Sequence, residues 1–429
     1  MSAKKRIVVS SAHMGLGHLR AAHALHRFIQ EELFIEGSEH HTKQEQRLWD
    51  EFKNAYYTMS VMGKIPVIGP ILAQLLDKME HIPPYYPRRN LSTPTPAVLY
   101  LEHCIKNRGL SHSLVEFCSD KSAHTVNTFY ATAAALDTHK AAEKNYLVIC
   151  DTDINRVWVP KNAKKSTIHF CAPCDKAYRR LVAYGVDRER ITITGFPLPV
   201  ENIGSAEKHE ILTSDTRARI ARLDHHNRIL PELHATPLAF KPEANKQVVT
   251  LMFAVGGAGA QVELIDPILQ GLKHSLRDGI FHLHLSAGIN PIIVKKFLAA
   301  IARNGLTECI GRTITIIHHT EAMQFFDLFN NTLRTTDILI TKPSELVFFA
   351  GLGIPFLCTP PVGPHETENL RWLQEFHAGT PIRHKLPHMS EWLTDMLEDG
   401  VFASMARDAY YRIPKDGTRN ITDLIKKNM

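Results

Sequence analysis

The 429-residue sequence lacks any run of 18 consecutive apolar residues. Because a helix needs about 20 such residues to cross a bilayer, no membrane-spanning helix is expected. The N-terminus also lacks the long apolar region and small-residue cleavage site of a secretory signal, since the basic residues 1–6 lead directly into a β-branched segment. These absences favour a cytoplasmic protein, soluble or peripheral on the inner face of the membrane.

Cysteine is present without any disulfide framework: the seven cysteines are odd in number and scattered, which favours a reducing compartment. Cys171 and Cys174 have CxxC spacing, but no second pair of ligands lies at the distance that a zinc site needs. The HExxH and GxSxG motifs are missing too. We therefore expect no metal site and no cofactor.

Neither sign of charge is in large excess, since the sequence has 50 Lys and Arg and 44 Asp and Glu, for a formal net charge of +6. That balance suits anionic small molecules or an anionic membrane surface. No dense basic patch with interleaved aromatic residues occurs, so nucleic acid is not an expected partner. The hydrophobic share of 44% and the charged share of 22% are typical of a globular protein.

Two series of strands and helical patterns follow one another along the chain. The first has predicted strands at 5–11, 146–150, 166–171 and 191–195, with helical patterns at 18–34, 126–144 and 175–184. The second has predicted strands at 247–255, 280–286, 313–317, 337–341 and 355–358, with helical patterns between them. This alternation predicts an α/β fold of two doubly wound, Rossmann-like domains that face each other across a cleft.

The predicted domains are 1–200 and 246–410, joined by a polar linker at 201–245 and followed by a C-terminal helix at 411–429. An insertion at 52–97 interrupts the first domain.

The apolar stretch 61–76 of this insertion includes Lys64 and precedes Arg88 and Arg89, a combination that suits docking on a membrane surface. A buried helical hairpin that covers the sheet explains the same pattern equally well.

The turn after the first predicted strand contains Gly15 and Gly17, with His13 before them and His18 at the start of a helix. Glycines let the backbone approach a ligand closely, and a helix N-terminus favours anionic groups. A tight strand–helix turn without a ligand is the alternative reading of the same residues.

A second polar loop follows the strand at 146–150. Asp151 and Asp153 can serve there as a general base or as a group that orients one. Arg156 can pair with either carboxylate or with a substrate phosphate. Capping of a turn or a helix explains the aspartates equally well.

Three loops after strands of the second domain carry candidate donor-binding residues. The segment 256–260 follows a strand and opens a helix, as a phosphate loop does. Ser344 and Glu345 can bond sugar hydroxyls, and Lys342 can reach a phosphate. The third loop starts a helix at 364–369. The alternative to this donor-binding role is structural: Ser344 and Glu345 cap a helix, and Lys342 is an exposed lysine.

In order and spacing, these loops resemble the GT-B glycosyltransferases, in the branch of the diacylglycerol glucosyltransferases, monogalactosyldiacylglycerol synthases and lipid II N-acetylglucosaminyltransferase. Residues 11–18 match the S/T-A-x-x-G-x-G-H opening of that branch. Residues 151–158 resemble its T-D-x-x-x-H-x-x-W segment, with Asp151 and Trp158 in register. Residues 191–197 resemble its I-x-V-T-G-x-P strand.

In the second domain, 256–260 look like the Gly-rich loop of the family, Lys342-Pro343 like the start of its K-P-G-G loop, and 365–369 like its G-Q-E-x-x-N loop. The resemblance implies transfer of a sugar from a nucleotide-diphosphate donor, UDP-linked, to a hydroxyl acceptor such as a lipid, without a required metal. It assigns the donor to Gly256, Gly257, Ala258, Gly259, Lys342, Pro343, Ser344, Glu345, His365, Glu366 and Asn369. It assigns the acceptor or its phosphate to His13, Gly15, Gly17, Asn155 and Arg156. His18 and Asp151 become the candidates for activating the acceptor.

Three positions depart from the family pattern: Asn155 replaces a histidine, Ser344-Glu345 replace two glycines, and His365 replaces a glutamine. Asparagine cannot relay a proton, so two other functions stay open. One is a nucleotide-sugar-binding protein without transferase activity. The other is a nucleotide-sugar 2-epimerase, which shares the two-domain architecture.

Overall fold

The computed structural model describes residues 6–37, 42–62 (backbone alone from 54), 81–119, 122–241, 248–256, 259–382 and 385–429. The chain forms two compact domains. The first comprises Met1–Leu198, Gly363–Glu368 and Asp416–Met429, and the second comprises Pro199–Val362 and Asn369–Lys415. In the described residues each domain contains one parallel sheet of six strands, which confirms the predicted α/β fold.

The first sheet has the strand order β2-β1-β3-β4-β5-β6. Its strands are β1 (Arg6–Ala12), β2 (Glu32–Glu36), β3 (Ala123–Asn127), β4 (Lys144–Val148), β5 (Ile168–Ala172) and β6 (Ile191–Ile193). The helices of this part of the chain are α1 (Leu16–Ile29), α2 (Lys43–Met62), α3 (Pro96–His103), α4 (His112–Phe117), α5 (Tyr130–His139) and α6 (Asp175–Ala183). The order reverses between β1 and β3, and ligands of such sheets bind beyond the strand ends at that reversal.

The second sheet has the order β12-β11-β10-β7-β8-β9, which is the Rossmann order, with the reversal between β7 and β10. Its strands are β7 (Val249–Ala254), β8 (Phe281–Gly288), β9 (Ile314–His318), β10 (Ile338–Thr341), β11 (Phe356–Cys358) and β12 (Gly379–Pro381). The remaining helices are α7 (Glu210–Leu223), α8 (Leu230–Leu233), α9 (Ile265–Arg277), α10 (Pro291–Arg303), α11 (Ala322–Leu333), α12 (Pro364–Glu375), α13 (Met389–Glu398), α14 (Val401–Arg412) and α15 (Gly417–Lys427).

The sequence did not predict strands β2 and β3. Strand β2 overlaps only the end of the helical pattern at 18–34, and β3 overlaps only the start of the pattern at 126–144. Gln30 adopts a left-handed conformation that ends α1 before β2 begins. Strand β3 is buried along its whole length but carries polar residues. A buried strand of a parallel sheet normally has a continuous apolar sequence. The polar residues of β3 are the reason that the sequence analysis did not predict this strand.

Those polar residues form a buried hydrogen-bond chain across the sheet. The Ser10 hydroxyl donates to the side-chain Oδ1 of Asn127 at 2.6 Å. The side-chain amide of Asn127 donates to Oδ1 of Asn145 at 2.9 Å. The Asn145 amide in turn donates to the carbonyl oxygen of Ala133. Because buried polar groups are costly unless they are bonded, this chain fixes how β1, β3 and β4 align.

Residues 201–241, which the sequence predicts as part of a linker, group with the second domain. Its helix α7 carries Arg219, which is 1% exposed and donates to the carbonyl oxygens of Leu333, Thr336 and Leu352. The polar composition that suggested a linker thus includes a buried cation that bonds the backbone of neighbouring segments.

The predicted C-terminal helix 411–429 is divided in the structure, since α14 continues to Arg412 and α15 begins at Gly417. Ile421 and Ile425 of α15 join the core of the first domain beside Val9 and Val148. A Cβ atom on Gly417 would lie 2.1 Å from the carbonyl oxygen of Phe196, so this close approach requires glycine.

Helix α2, which runs into the insertion at residue 52, packs against the core of the first domain. Trp49 of α2 contacts Phe129 with ring centroids 6.0 Å apart, and Phe52 packs against the same core. Beyond Met62, the stretch 61–76 lies outside the described residues. Within the described residues, no helix combines the length and the apolar character needed to cross a membrane.

We predict that Arg219→Met lowers the free energy of unfolding by about 3 kcal/mol, because several buried carbonyl oxygens lose a charged donor. The urea midpoint, followed by circular dichroism, measures this effect.

The matched control is Arg217→Met on the same helix, whose exposed guanidinium donates to the Pro237 carbonyl oxygen. The control should cost less than about 1 kcal/mol. Equal midpoints for the two variants would contradict the role given to Arg219.

Candidate functional site

The side chain of His18 is held by the loop after β3. Its Nδ1 lies 2.8 Å from the carbonyl oxygen of Thr128, and the Thr128 hydroxyl donates back to the carbonyl oxygen of His18 at 2.9 Å. Because a carbonyl oxygen only accepts hydrogen bonds, Nδ1 carries the proton, as assigned from this contact. In the neutral ring, Nε2 then holds the lone pair and can act as a base.

Aromatic rings surround His18. The ring of Phe129 meets it edge-on with centroids 5.0 Å apart, and Trp158 lies at 5.8 Å. Tyr130 stacks on Phe129 at 4.3 Å and contacts Trp158 at 5.4 Å. The loops after β1, β3 and β4 therefore meet around one imidazole at the reversal of strand order.

Sequence reasoning found His18 and Trp158 but missed residues 128–130. They follow β3, which the sequence did not predict, and they lie at the start of the predicted helical pattern 126–144. The available signal was the aromatic pair Phe129-Tyr130 directly after the short polar and β-branched run at 125–128.

The two carboxylates of the β4 loop differ in their burial. Asp153 is buried and forms a two-point ion pair with Arg180, at 2.7 and 2.8 Å. Arg180 also lies over the ring of Tyr85, 4.8 Å from its centroid. Asp153 therefore holds α6 to this loop, and Asp151, which is half-buried, remains the candidate for chemistry.

Arg156 does not pair with a carboxylate as the sequence suggested. Its buried guanidinium donates to the carbonyl oxygens of Ser92, Val159 and Pro160. Burial also lowers the pKa of Arg156 from its ordinary value. Because the N–H groups of Arg156 bond main-chain oxygens, this side chain stabilises the loop. The geometry therefore gives no support to a substrate phosphate at Arg156.

Asn155 caps a short 3-10 turn, since its side-chain oxygen accepts from the backbone N–H of Val157 at 3.2 Å. That turn ends at Trp158, so Asn155 helps to place the ring beside His18. The residue that departs from the family pattern thus has a structural role here.

Three further residues of the β1 turn were expected to meet an acceptor. Burial, with a smaller effect from the charge of Lys53, lowers the pKa of His13, so His13 is neutral at pH 7. Gly15 has φ +114°, a conformation that favours glycine. Gly17 lies inside the first turn of α1.

In the second domain, the loops after β7 and β10 meet at the reversal of strand order. A Cβ atom on Gly256 would lie 2.8 Å from the Cε atom of Lys342, so the lysine side chain crosses directly over this glycine. The hydroxyl of Thr341 donates to the carbonyl oxygen of Ala254 at 2.9 Å and joins the two strand ends. Gly257 and Ala258 lie outside the described residues.

Gln261, which the sequence did not single out as a site residue, joins this loop to the one after β11. Its amide donates to the carbonyl oxygen of Pro360 at 2.6 Å, and its side-chain oxygen accepts from the hydroxyl of Thr359. Gly259 has φ +75° beside it. The helix that was expected to open at 256–260 begins later, because a 3-10 turn at Val262–Leu264 precedes α9.

The remaining donor candidates have mixed surroundings. The Asn369 amide is buried and donates to the carbonyl oxygen of Pro343 at 3.1 Å, so it supports the Lys342-Pro343 turn. Ser344 precedes a 3-10 helix at Glu345–Leu352, and its side chain makes no capping hydrogen bond. The helix cap considered for this position is therefore not formed by the Ser344 side chain.

His365 and Glu366 begin α12, in a segment that groups with the first domain. The Nε2 atom of His365 lies 3.9 Å from Glu366 Oε1. Contact of these two residues with a donor sugar stays a prediction.

The CxxC cysteines do not have the environment of reactive thiols. Burial raises the pKa of Cys171 to about 12 and that of Cys174 to about 11. Reactive cysteines have lowered pKa values, because the thiolate is the nucleophile and the metal ligand.

Comparison with known proteins gives the fold a context. A family model described as a domain of unknown function, DUF6938, matches residues 294–418, less than a third of the chain. No curated protein matches the sequence.

Solved structures are similar over nearly the whole chain. A putative UDP-N-acetylglucosamine 2-epimerase from Listeria monocytogenes is 14% identical, with a TM-score of 0.50, over 99% of this chain and 96% of that one. The Staphylococcus aureus protein MnaA, solved with UDP, is 11% identical with a TM-score of 0.48, over 99% and 96%. A Rickettsia africae glycosyltransferase is 12% identical with a TM-score of 0.42, over 99% and 98%.

At such identities the similarity concerns the fold alone. The two Rossmann-like domains place the chain in the GT-B fold class. The function has to be argued from the residues.

We predict that nitrogen-edited NMR of the histidine rings finds His18 in the Nδ1–H tautomer at pH 7.5, because Nδ1–H donates to the Thr128 carbonyl oxygen. The His18→Gln variant assigns the signals. The exposed His139 at the end of α5 is the control and should not share this preference. An Nε2–H tautomer for His18 would contradict the contact with Thr128.

Proposed function

We propose that the protein is a glycosyltransferase that moves a sugar from a UDP-linked donor to a hydroxyl acceptor, without a required metal. The observation that carries the proposal is the oriented imidazole of His18, with Nδ1–H bonded to the Thr128 carbonyl oxygen at 2.8 Å. This bond dedicates Nε2 to accepting a proton. Deprotonation of a hydroxyl is the step that such a base serves.

The second domain supplies the complementary features. Lys342 crosses over Gly256 where β7 and β10 diverge, the position at which Rossmann domains bind nucleotides. An ammonium group there suits a diphosphate, which gains negative charge as it leaves. We assign the donor diphosphate to Lys342 and the loop at 256–261.

The proposed step conserves atoms and charge. His18 Nε2 takes the proton of the acceptor hydroxyl as the acceptor oxygen attacks the anomeric carbon. The bond from that carbon to the β-phosphate oxygen breaks, and its electron pair leaves with UDP beside Lys342. Attack opposite the leaving group inverts the anomeric configuration.

Asp151 has a supporting role in this proposal. It follows β4, two strands from β1, so the two strand axes are roughly 10 Å apart. A carboxylate in the loop after β4 can orient the acceptor or stabilise the imidazolium that forms.

A lipid acceptor, and membrane contact through 61–76, are not needed for this step. The lipid acceptor rests on the family resemblance, and the membrane contact rests on a stretch outside the described residues. Both stay predictions.

We predict that UDP or one UDP-sugar raises the melting temperature equally with magnesium and with EDTA. At 100 times its dissociation constant a ligand adds about 2.7 kcal/mol, an easily measured shift. Lys342→Met should remove most of the shift. Gly257→Asp, outside the described residues, should also remove it by placing a carboxylate in the phosphate site.

The control is Lys296→Met, an exposed lysine on α10 of the same domain, which should keep the full shift. A full shift in Lys342→Met would refute the donor placement.

We predict that His18→Gln lowers kcat about 10²- to 10⁴-fold, the usual contribution of a general base, and leaves donor affinity unchanged. Asp151→Asn should lower kcat less. Radiolabelled sugar transfer measures kcat, and the exposed His139→Gln is the control that keeps full activity.

The same assay separates the alternatives. Conversion or release of the nucleotide sugar without any acceptor would indicate a 2-epimerase. Donor binding with neither transfer nor conversion across an acceptor panel would indicate a binding protein without catalysis.

A further inference from the structure

The first domain contains a cavity of about 540 Å³ beside the His18 site. It lies between α3, the end of α5 and the segment 157–166, all within this domain. Its volume falls in the range of small-molecule sites, roughly 300–1,000 Å³. The roles given above to His18, Asp151 and Lys342 do not use it.

The floor of the cavity is apolar. Leu101 and Ile105 line it from α3 and the turn that follows, and Ala134 lines it from α5. Trp158 closes one side and is 5% exposed. Contact with such a surface favours a ligand with an apolar body.

Cations dominate the rim. Lys106, Lys140, Lys161 and Lys165 line the cavity, against two carboxylates, Glu102 and Asp137. The four ammonium groups and two carboxylates give this rim a net charge of +2, which attracts an anion.

Three of the four ammonium groups of this rim form ion pairs with its two carboxylates. Glu102 bonds Lys106 at 2.6 Å and Lys161 at 3.2 Å, and Asp137 bonds Lys140 at 3.1 Å. Within the described residues Lys165 has no ion-pair partner. Exposed pairs of this kind are weak, so an incoming anion can also recruit Lys161.

Trp158 connects the cavity to the candidate base. Its indole lines the cavity and lies 5.8 Å from the imidazole of His18. A ligand in the cavity therefore contacts a ring that also neighbours His18. Occupancy should alter both the fluorescence of Trp158 and the ring signals of His18.

We propose that this cavity binds a small anionic amphiphile, with its apolar body on Leu101, Ile105 and Trp158 and its anionic head at Lys165 and Lys161. The ligand class follows from the apolar floor and the positive rim together. The inference does not depend on sugar transfer, and if the proposed transferase activity holds, the acceptor is the natural candidate for this ligand.

Isothermal titration calorimetry with three probes tests the ligand class: octyl phosphate, octan-1-ol and octyltrimethylammonium, each below its micelle-forming concentration and without nucleotide. We expect one-to-one binding of octyl phosphate, about tenfold tighter than either other probe, since one charged contact is worth about that factor. Quenching of tryptophan fluorescence that is lost in Trp158→Phe locates the site.

Two variants separate the head from the body of the ligand. Lys165→Glu, an exposed substitution that leaves the core intact, should weaken octyl phosphate about tenfold and leave octan-1-ol unchanged. Ala134→Phe should weaken both, because the new ring fills the cavity.

The matched control is Lys164→Glu, the same charge change on a neighbouring exposed residue that does not line this cavity. Its effect should stay within about threefold, since salt screens exposed charges beyond about 8 Å. Equal affinity for the phosphate and the ammonium probe, or no saturable binding of octyl phosphate, would overturn the proposal. So would equal losses in Lys165→Glu and Lys164→Glu.

Discussion

The first domain depends on the hydrogen-bond chain from Ser10 through Asn127 to Asn145. These bonds of 2.6 and 2.9 Å cross three adjacent strands inside the core, where an unbonded amide would be costly. They fix the end of β3, and the next residue is Thr128. The carbonyl oxygen of Thr128 sets the tautomer of His18, so the orientation of the candidate base derives from the alignment of the sheet.

The second domain reaches a similar result with different chemistry. Strand ends are joined by the Thr341 hydroxyl, and the loops beyond them by Gln261 and Asn369, all bonded to main-chain oxygens. These contacts hold the backbone around Gly256 and Lys342. The backbone of the glycine-rich turn and of the Lys342 loop is thus held by neutral side chains.

Much of the second domain was predictable, because strands such as β7 and β10 are apolar runs with helical patterns between them. The first domain was harder, since β3 satisfies its polar residues through partners about 20 and more than 100 residues away. No local pattern reveals such pairing, so β3 and residues 128–130 were missed. Arg156 was misjudged for a related reason, because whether an arginine meets a ligand or a carbonyl oxygen depends on distant chain segments.

The sequence by itself determined the two Rossmann-like domains, the glycine turns and the candidate residues His18, Asp151 and Lys342. Periodicity and turn chemistry are local properties, and parallel strands must bring their carboxyl ends to one edge. Only the tertiary structure decided which polar groups are occupied. Asp153 forms an ion pair with Arg180, and Arg156 donates to main-chain oxygens. Asn155 caps a turn, and Nδ1 of His18 bonds the carbonyl oxygen of Thr128. Hydrogen-bond partners are set by proximity in space, and that information appears only when the chain is folded.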